Sequence, residues 1–255
     1  MTVHGHADGL PAAVQVVPLG VLAVLAVAYL AAVRPPWPRA RTLCWSSGLV
    51  VAAVAVAGPV AAAGHADFRA HMVGHVLLGM LAPLLLVGGR PVTAALRALP
   101  VHRGRALVRV LRSPPVAVLT HPAVAAVLSV GGLWLLYRTG LHAATQQHPA
   151  LHLLVQAHVL GSGYLFAASL VGRDPVAHRP RLAIRAAVLV AAVAAHNVLA
   201  KSLVAAPPPG VAADQAAAAG PVMYYLGAPL EIALFVLLGT EWAAADRRAR
   251  AATAR

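Results

Sequence analysis

The chain has 255 residues, of which 60% are hydrophobic and 11% charged, and 20 Lys and Arg against 7 Asp and Glu give it a formal net charge of +13. Soluble domains carry about 25% charged residues, so this composition excludes a soluble protein and indicates an integral membrane protein. The positive charge does not indicate nucleic-acid binding, because the basic residues are spread over alternate loops instead of one soluble face.

Seven apolar stretches approach the ~20 residues that cross a ~30 Å hydrocarbon core. They predict transmembrane helices at 16–33, 43–62, 72–89, 116–137, 150–171, 183–204 and 221–243. The first stretch has no basic residue before it and no small-residue cleavage site, which predicts a retained helix and not a signal peptide. We therefore predict an all-α bundle of about seven transmembrane helices. Residues 1–245 would form a single membrane domain and residues 246–255 a basic tail.

The arginines predict the orientation of the bundle. They follow the first, third, fifth and seventh stretches, and the other side of the membrane receives Arg69, Arg138 and Lys201. Since loops rich in Lys and Arg stay in the cytoplasm, we expect the N-terminus outside and the C-terminus in the cytoplasm. This is the pattern of a multi-pass protein of a bacterial plasma membrane, with basic loops that touch anionic lipid.

The histidines have the opposite distribution. Three of them, His102, His121 and His178, map to the cytoplasmic side. The others map outside or to the outer half of a span: His4, His6, His65, His71, His75, His142, His148, His152, His158 and His196. In the outer loops, at His4, His6, His65 and His142, the simplest interpretation is that histidine replaces excluded Lys and Arg. Within a span an imidazole is costly unless something bonds to it.

Two histidine pairs have the spacing of one helix face. His71 and His75 are four residues apart at the start of the third span, so their imidazoles are placed to hold one metal ion. His148 and His152 repeat this spacing in the fifth span, and His158 lies ~9 Å deeper. His196 lies ~12 Å inside the outer end of the sixth span. Each histidine alone is readily explained by helix packing, but together they predict a metal or heme site near the outer surface.

Four further residues belong to the same layer. Glu231 lies in the seventh span near the depth of His196, where an acid is a candidate functional residue or the partner of that histidine in a purely structural pair. Met72 and Met223 lie near the outer surface, and their thioethers suit Cu(I) better than a hard ion. Asp214, followed by Gln215, precedes the seventh span and is placed to cap or line the site.

Several chemistries find no support in the sequence. Cys44 is the only cysteine and lies at the predicted cytoplasmic start of the second span, so no disulfide or dithiol site is expected outside. We find no phosphate-binding loop, no dinucleotide fingerprint and no nucleophilic serine elbow. The sequence therefore does not indicate an enzyme.

The chain resembles the CtaG-like multi-span cytochrome c oxidase assembly proteins over roughly residues 20–245. The resemblance rests on the stretch from Phe68 through His71, His75 and Pro83 to Thr93. Three later pieces follow in the same order. They are His152 to His158 running into Gly163 and Gly172-Arg-Asp174-Pro175, then His196-Asn-Val-Leu, then Asp214-Gln215 with Gly220 and Met223. The chain departs from the family pattern at Gly74, where we expect a larger polar residue such as Gln, and in the run Gln146, Gln147 and His148.

The resemblance implies a plasma-membrane protein that matures a heme-copper terminal oxidase at a copper-centre step. The residues that match the family's motifs are His71, His75, His152, His158, His196 and Asp214. We therefore expect a non-enzymatic assembly factor that holds or delivers copper through the histidine layer. Its expected partners are oxidase subunits, membrane lipid and a copper donor chaperone, with no nucleic acid.

Other functions remain open at this level. A heme-binding membrane protein would need two axial histidines on different helices at matched depth, and His158 with His196 fits that requirement. A copper permease would need polar residues through the inner half of the bundle, where His121 and Cys44 are all that the sequence offers. A scaffold for oxidase assembly would need no metal.

Overall fold

The computed structural model describes residues 12–175 and 179–253, and every regular element in these two ranges is a helix. His4, His6, His178 and Arg255 lie outside the described residues. The predicted all-α class is confirmed for the described part of the chain.

The helices are, in chain order, α1 (Ala12–Ala32), α2 (Arg39–Val56), α3 (Pro59–Ala66), α4 (Phe68–Gly88), α5 (Pro91–Ala98), α6 (Val101–Leu111), α7 (Pro114–Leu119), α8 (Pro122–Arg138), α9 (Leu141–Gln147), α10 (Pro149–Val171), α11 (Leu182–Ala205) and α12 (Ala213–Thr253). Six candidate spans are long and apolar enough to cross a membrane: α1, α2 with α3, α4, α10, α11 and α12. The pair α8 and α9, bent by 78°, makes a seventh if it is one span. This agrees with a bundle of about seven spans.

Prolines set where several helices begin, because a first helical position needs no backbone N–H. Such prolines stand at Pro59, Pro91, Pro114, Pro122 and Pro149. The fourth span consequently begins at Pro122 and not at residue 116 as hydropathy predicted. The residue before a proline is disfavoured in helical conformation, so α7 ends at Leu119 and a new helix starts.

Small residues let the helices approach closely. A methyl group at Gly163 of α10 would collide with the carbonyl oxygen of Gly79 on α4. A methyl group at Gly220 of α12 would lie 2.8 Å from the carbonyl oxygen of Ala200 on α11. Since lipid provides little hydrophobic drive between helices, such close backbone contact is what holds transmembrane helices together.

Two π-helical turns interrupt the spans, at Leu77–Leu81 in α4 and at Val127–Gly131 in α8. In α4 the N–H of Ala82 donates to the carbonyl of Leu77, a five-residue step. Pro83 follows directly and has no N–H to continue the regular ladder. Isolated π turns in helices are frequent at functional sites, and both of these border the same cavity.

Candidate functional site

Four histidines converge at one end of the bundle, and we call them the rim cluster: His65 on α3, His71 on α4, His142 on α9 and His152 on α10. The ring centres of His71 and His142 are 4.7 Å apart, and those of His65 and His152 are 5.2 Å apart. His65 and His142 thus belong to the cluster, although the sequence alone favoured a simple replacement of excluded Lys and Arg. We call this end of the molecule the histidine-rich end.

Neutral polar groups orient the rim. His71 Nε2 lies 3.1 Å from the hydroxyl of Tyr137, and Phe68 stacks on the His71 ring. His65 Nδ1 lies 2.9 Å from Oε1 of Gln146, which belongs to the run where the sequence departs from the family pattern. Uncharged partners therefore hold the imidazoles of His71 and His65 through one ring nitrogen each.

A cavity of about 80 Å³, the rim cavity, opens between these side chains. Its polar lining is His65, His71, His75, Tyr137, Thr145, Gln146, His152 and Gln156. The amide nitrogen of Gln156 lies 2.9 Å from Nε2 of His152. The cavity therefore offers several imidazoles to one small occupant.

A second cavity of about 50 Å³, the deep cavity, lies further along α4. Its lining includes His75, Met80, His196 and Glu231, together with residues of both π turns. The rings of His75 and His196 are 6.1 Å apart between centres. Because liquid water takes about 30 Å³ per molecule, a volume of this size suits a metal ion or one or two waters.

His196 is paired with an acid, as its depth in the sequence indicated. Its Nδ1 lies 2.8 Å from Oε1 of Glu231, and both side chains are buried. The other carboxylate oxygen of Glu231 accepts a hydrogen bond of 3.1 Å from Nδ2 of Asn197. These contacts orient the imidazole so that its Nε2 is directed away from the carboxylate.

Among residues 12–175 and 179–253, three buried ring nitrogens at the deep cavity form no hydrogen bond: Nε2 of His75 and both nitrogens of His196, whose Nδ1 approaches Oε1 of Glu231 at 2.8 Å without hydrogen-bond geometry. His75 is 8% exposed and His196 is 4% exposed. Buried polar atoms are nearly always bonded, so each exception points to an unseen water or ion. Both side chains line the deep cavity, so these two Nε2 atoms are candidate ligand atoms.

His75 lines both cavities. It therefore stands between the rim cluster and the pair formed by His196 and Glu231. A small ligand that enters at the rim meets this side chain before it reaches the deep cavity.

Other predicted site residues lie elsewhere. His158 is on an exposed face of α10, and its Nε2 lies 2.9 Å from the carbonyl of Leu128 in the second π turn. Asp214 is exposed in the first turn of α12 and lines neither cavity. Its neighbour Gln215 contacts the backbone of Ala66 and Phe68, at 3.4 Å each, and so ties α12 to the junction of α3 and α4.

Met72 and Met223 are fully buried in an apolar cluster with Phe68, Tyr137 and Leu199. Neither thioether lines the rim cavity or the deep cavity. The methionine that does line one is Met80, which sequence reasoning missed because it is five residues from His75 and so lies on another face of a regular α-helix. Pro83 lies inside a predicted span, and a proline there indicates a local departure from regular α-helical geometry.

The donor set is unlike a rigid structural metal site. Within the described part of the chain, no group of three or more His, Cys, Asp or Glu is arranged to hold a metal ion. The deep cavity instead offers two imidazoles and one thioether, a combination of soft and intermediate donors that favours Cu(I) over a hard cation.

The motif Gly172-Arg-Asp174-Pro175 has a structural role. The carboxylate of Asp174 accepts hydrogen bonds from the backbone N–H groups of Val92 and Thr93 and from the Thr93 hydroxyl. Accepting free N–H groups at a helix start is what a capping side chain does, so Asp174 fixes α5 to the end of α10.

The fold and the site define a class: an all-helical membrane protein with a histidine-lined cavity system at one end. The chain matches the family described as cytochrome c oxidase caa3 assembly factor (Caa3_CtaG) over residues 22–245. Because this match covers most of the chain, the protein belongs to that family, as the resemblance of its motifs implied.

Mycobacterial relatives share part of this sequence. An uncharacterized protein of Mycobacterium bovis and one of Mycobacterium tuberculosis are each 37% identical over 146 residues, and one of Mycobacterium leprae is 34% identical over the same length. Each alignment covers 54% of this chain and 22% of the relative. The chain thus accounts for about a fifth of the length of these larger proteins. No solved structure matches the chain.

Proposed function

We propose that this protein is a non-enzymatic assembly factor that holds Cu(I) at its histidine-rich end and passes it to an apo-subunit of a cytochrome c oxidase of the caa3 type. The observation that carries the proposal is the pair of buried, unpartnered Nε2 atoms of His75 and His196 beside a rim of further imidazoles. Membership of the oxidase assembly family supplies the acceptor.

The orientation of the bundle belongs to the proposal. The histidine-rich end faces outside. The opposite end, which carries Arg90, Arg173 and Arg179 and which we call the arginine-rich end, lies on the cytoplasmic side of a bacterial plasma membrane. A copper donor on the outer side would then reach the rim cluster directly. Helices α5 and α6, with their exposed arginines, would lie against anionic lipid on the opposite side.

Neutral imidazoles suit a transfer function. Imidazole is an intermediate ligand that binds Cu(I), and a site with few ligands releases its metal to a better one. Cu(I) would accordingly exchange with other proteins at the rim cluster and be held in the deep cavity. Nothing in this function requires a bond to be made or broken in a substrate.

Heme binding finds less support. The alternative depended on His158 and His196 as axial ligands, but Nε2 of His158 lies 2.9 Å from the carbonyl oxygen of Leu128 on α8.

Permeation of copper through the bundle also finds less support. Leu84 lines the deep cavity and a third cavity at the arginine-rich end. It packs there against an apolar cluster formed by Leu170, Leu189, Leu234 and Leu238. A cation would cross this region without ligands, so the geometry favours holding over passage.

The test is the metal and heme content of the purified, detergent-solubilised protein after Cu(I) loading under reducing conditions. We expect near-stoichiometric copper by elemental analysis and no Soret band in the visible spectrum. The double variant His71→Ala/His75→Ala should lose most of the copper. His102→Ala, which removes an exposed histidine of α6, is the matched control and should keep it.

Two results would contradict the proposal. A Soret band that survives purification would establish the heme function instead. Absence of both copper and heme from the loaded protein would leave a metal-free scaffold for oxidase assembly.

A further inference from the structure

We infer that the deep cavity is a Cu(I) site with three ligands, namely Nε2 of His75, Nε2 of His196 and the thioether of Met80, and that Glu231 and Asn197 orient it. The inference rests on the proposed function and names the donor atoms that hold the metal. The thioether ligand in this inference is Met80, which lines the cavity. Met72 and Met223, the candidates from the sequence, pack in the apolar cluster instead.

Gly227 of α12 locates the thioether beside the imidazole. A methyl group on this buried glycine would lie 3.0 Å from Cε1 of His196 and 3.6 Å from Sδ of Met80. Both groups therefore border the same small volume, which exists because position 227 has no side chain. Glycine is unfavourable inside a helix, so helix formation does not explain its presence at position 227. The space that it leaves between two potential ligands does explain it.

The π turn brings Met80 into this position. In a regular α-helix the residue four positions after His75, which is Gly79, would share its face. A five-residue turn over Leu77–Leu81 adds a residue to the turn and moves Met80 towards that face. Gly79 itself leaves room for its neighbours, because a methyl group there would lie 3.0 Å from Cγ1 of Val159 on α10 and 3.3 Å from Cε1 of His75.

Glu231 and Asn197 act as positioning residues. A histidine that ligates a metal almost always has its other ring nitrogen paired with a carboxylate or carbonyl. His196 has this arrangement, since Nδ1 faces Glu231 and Nε2 has no partner within the described residues. Asn197 donates to the second oxygen of Glu231 and so fixes the carboxylate. A pair built only for packing would not need a cavity at the free side of the imidazole.

X-ray absorption at the copper edge of the full-length protein, loaded with one equivalent of Cu(I) without oxygen, tests the ligand set. We expect one sulfur and two imidazole nitrogens around copper. Met80→Leu should abolish the sulfur signal and lower Cu(I) affinity at least tenfold in competition with a Cu(I) chelator. Met72→Leu is the matched control, because it removes a buried thioether from the apolar cluster, and should keep the sulfur signal.

Gly227→Ala provides a second variant in case Met80→Leu fails to fold. It changes no ligand and improves helix propensity, but its methyl group would occupy the space between His196 and Met80. We expect it to lower Cu(I) affinity and weaken the sulfur signal.

Copper bound to nitrogen and oxygen alone in the unmodified protein would overturn this inference and leave the proposed function standing. A sulfur signal that persists in Met80→Leu would do the same. Failure of the unmodified protein to bind Cu(I) would overturn both.

Discussion

The two ends of the bundle differ in how their buried polar side chains are bonded, although Nε of Arg185 at the arginine-rich end also has no partner within the described residues. At the arginine-rich end, buried Arg185 donates from one terminal nitrogen to the carbonyl of Leu170, at 2.6 Å, and from both to the carboxylate of Glu241, at 2.9 and 2.7 Å. At the histidine-rich end, His75 and His196 keep unpartnered Nε2 atoms within the described structure. The first arrangement joins helices, whereas the second leaves donor atoms for a ligand. Burial of polar groups alone therefore does not identify a binding site in a membrane protein; the partners of each atom do.

The largest effect is expected at the arginine-rich end. Arg185→Leu removes the buried partner of Glu241 and the link to α10, and breaking such a buried pair costs about 3 kcal/mol. We expect a marked fall in the thermal unfolding temperature in detergent, with Cu(I) affinity unchanged for the fraction that remains folded. Reduced copper affinity in that folded fraction would show that the two ends are energetically coupled, contrary to the separate roles assigned to them here.

His196→Ala is the counterpart at the histidine-rich end. Loss of a ligand should weaken Cu(I) binding about 100-fold, or about 2.8 kcal/mol at 1.4 kcal/mol per factor of ten. Thermal unfolding of the metal-free protein should also shift to a lower temperature, because the substitution leaves the buried Glu231 carboxylate without its imidazole neighbour. Chelator competition and a melting curve on the same sample check both parts. A large fall in the melting temperature with copper affinity retained would identify His196 as a packing residue.

The sequence predicts how deep these residues lie in the membrane, but not which neighbouring helix each side chain faces. Depth follows from the rise of about 1.5 Å per residue, and on that basis His196 and Glu231 were expected near each other, as they are. His152 and His158, however, are six residues apart, which at about 100° per residue turns their side chains roughly 120° from one another. Which of the two lines a cavity depends on how α10 packs: His152 lines the rim cavity, whereas His158 is exposed and contacts the carbonyl of Leu128 on α8.

The same limit explains the methionines. Met72 and Met223 have the right depth, yet both face an apolar cluster, and Met80 reaches the deep cavity through a π turn that hydropathy does not detect. The seven apolar stretches, in contrast, were predictable because only length and composition decide whether a helix crosses a membrane.

Glu231→Gln tests the positioning role at the deep cavity. The amide has nearly the same shape but no charge, and loss of a partner behind a metal ligand typically costs 10- to 100-fold in affinity. We expect about tenfold weaker Cu(I) binding, with the number of sulfur and nitrogen ligands unchanged in the absorption spectrum. Glu231→Asp, which restores the charge, should recover part of the affinity; equal affinities for all three proteins would show that the carboxylate has only a structural role.

The smallest effect is expected for the ion pair of the histidine-rich end itself. The side chains of Asp67 and Arg69 are 37% and 60% exposed, and exposed pairs contribute little. Hydrogen bonds from Arg69 lower the pKa of Asp67 below its ordinary value. The resulting stabilisation is present above the unfolded-state pKa and is lost as the pH falls through the folded-state pKa.

Asp67→Asn should therefore lower the unfolding temperature slightly at neutral pH and not at all at a pH where the carboxyl is protonated. Asp67→Ala should have the larger effect, because it also removes the acceptor for the backbone N–H of Arg69 at the start of α4. Melting curves across acidic and neutral pH measure both. An effect of Asp67→Asn as large as that of Arg185→Leu would mean that exposed and buried ion pairs stabilise this bundle equally, against the contrast between its two ends.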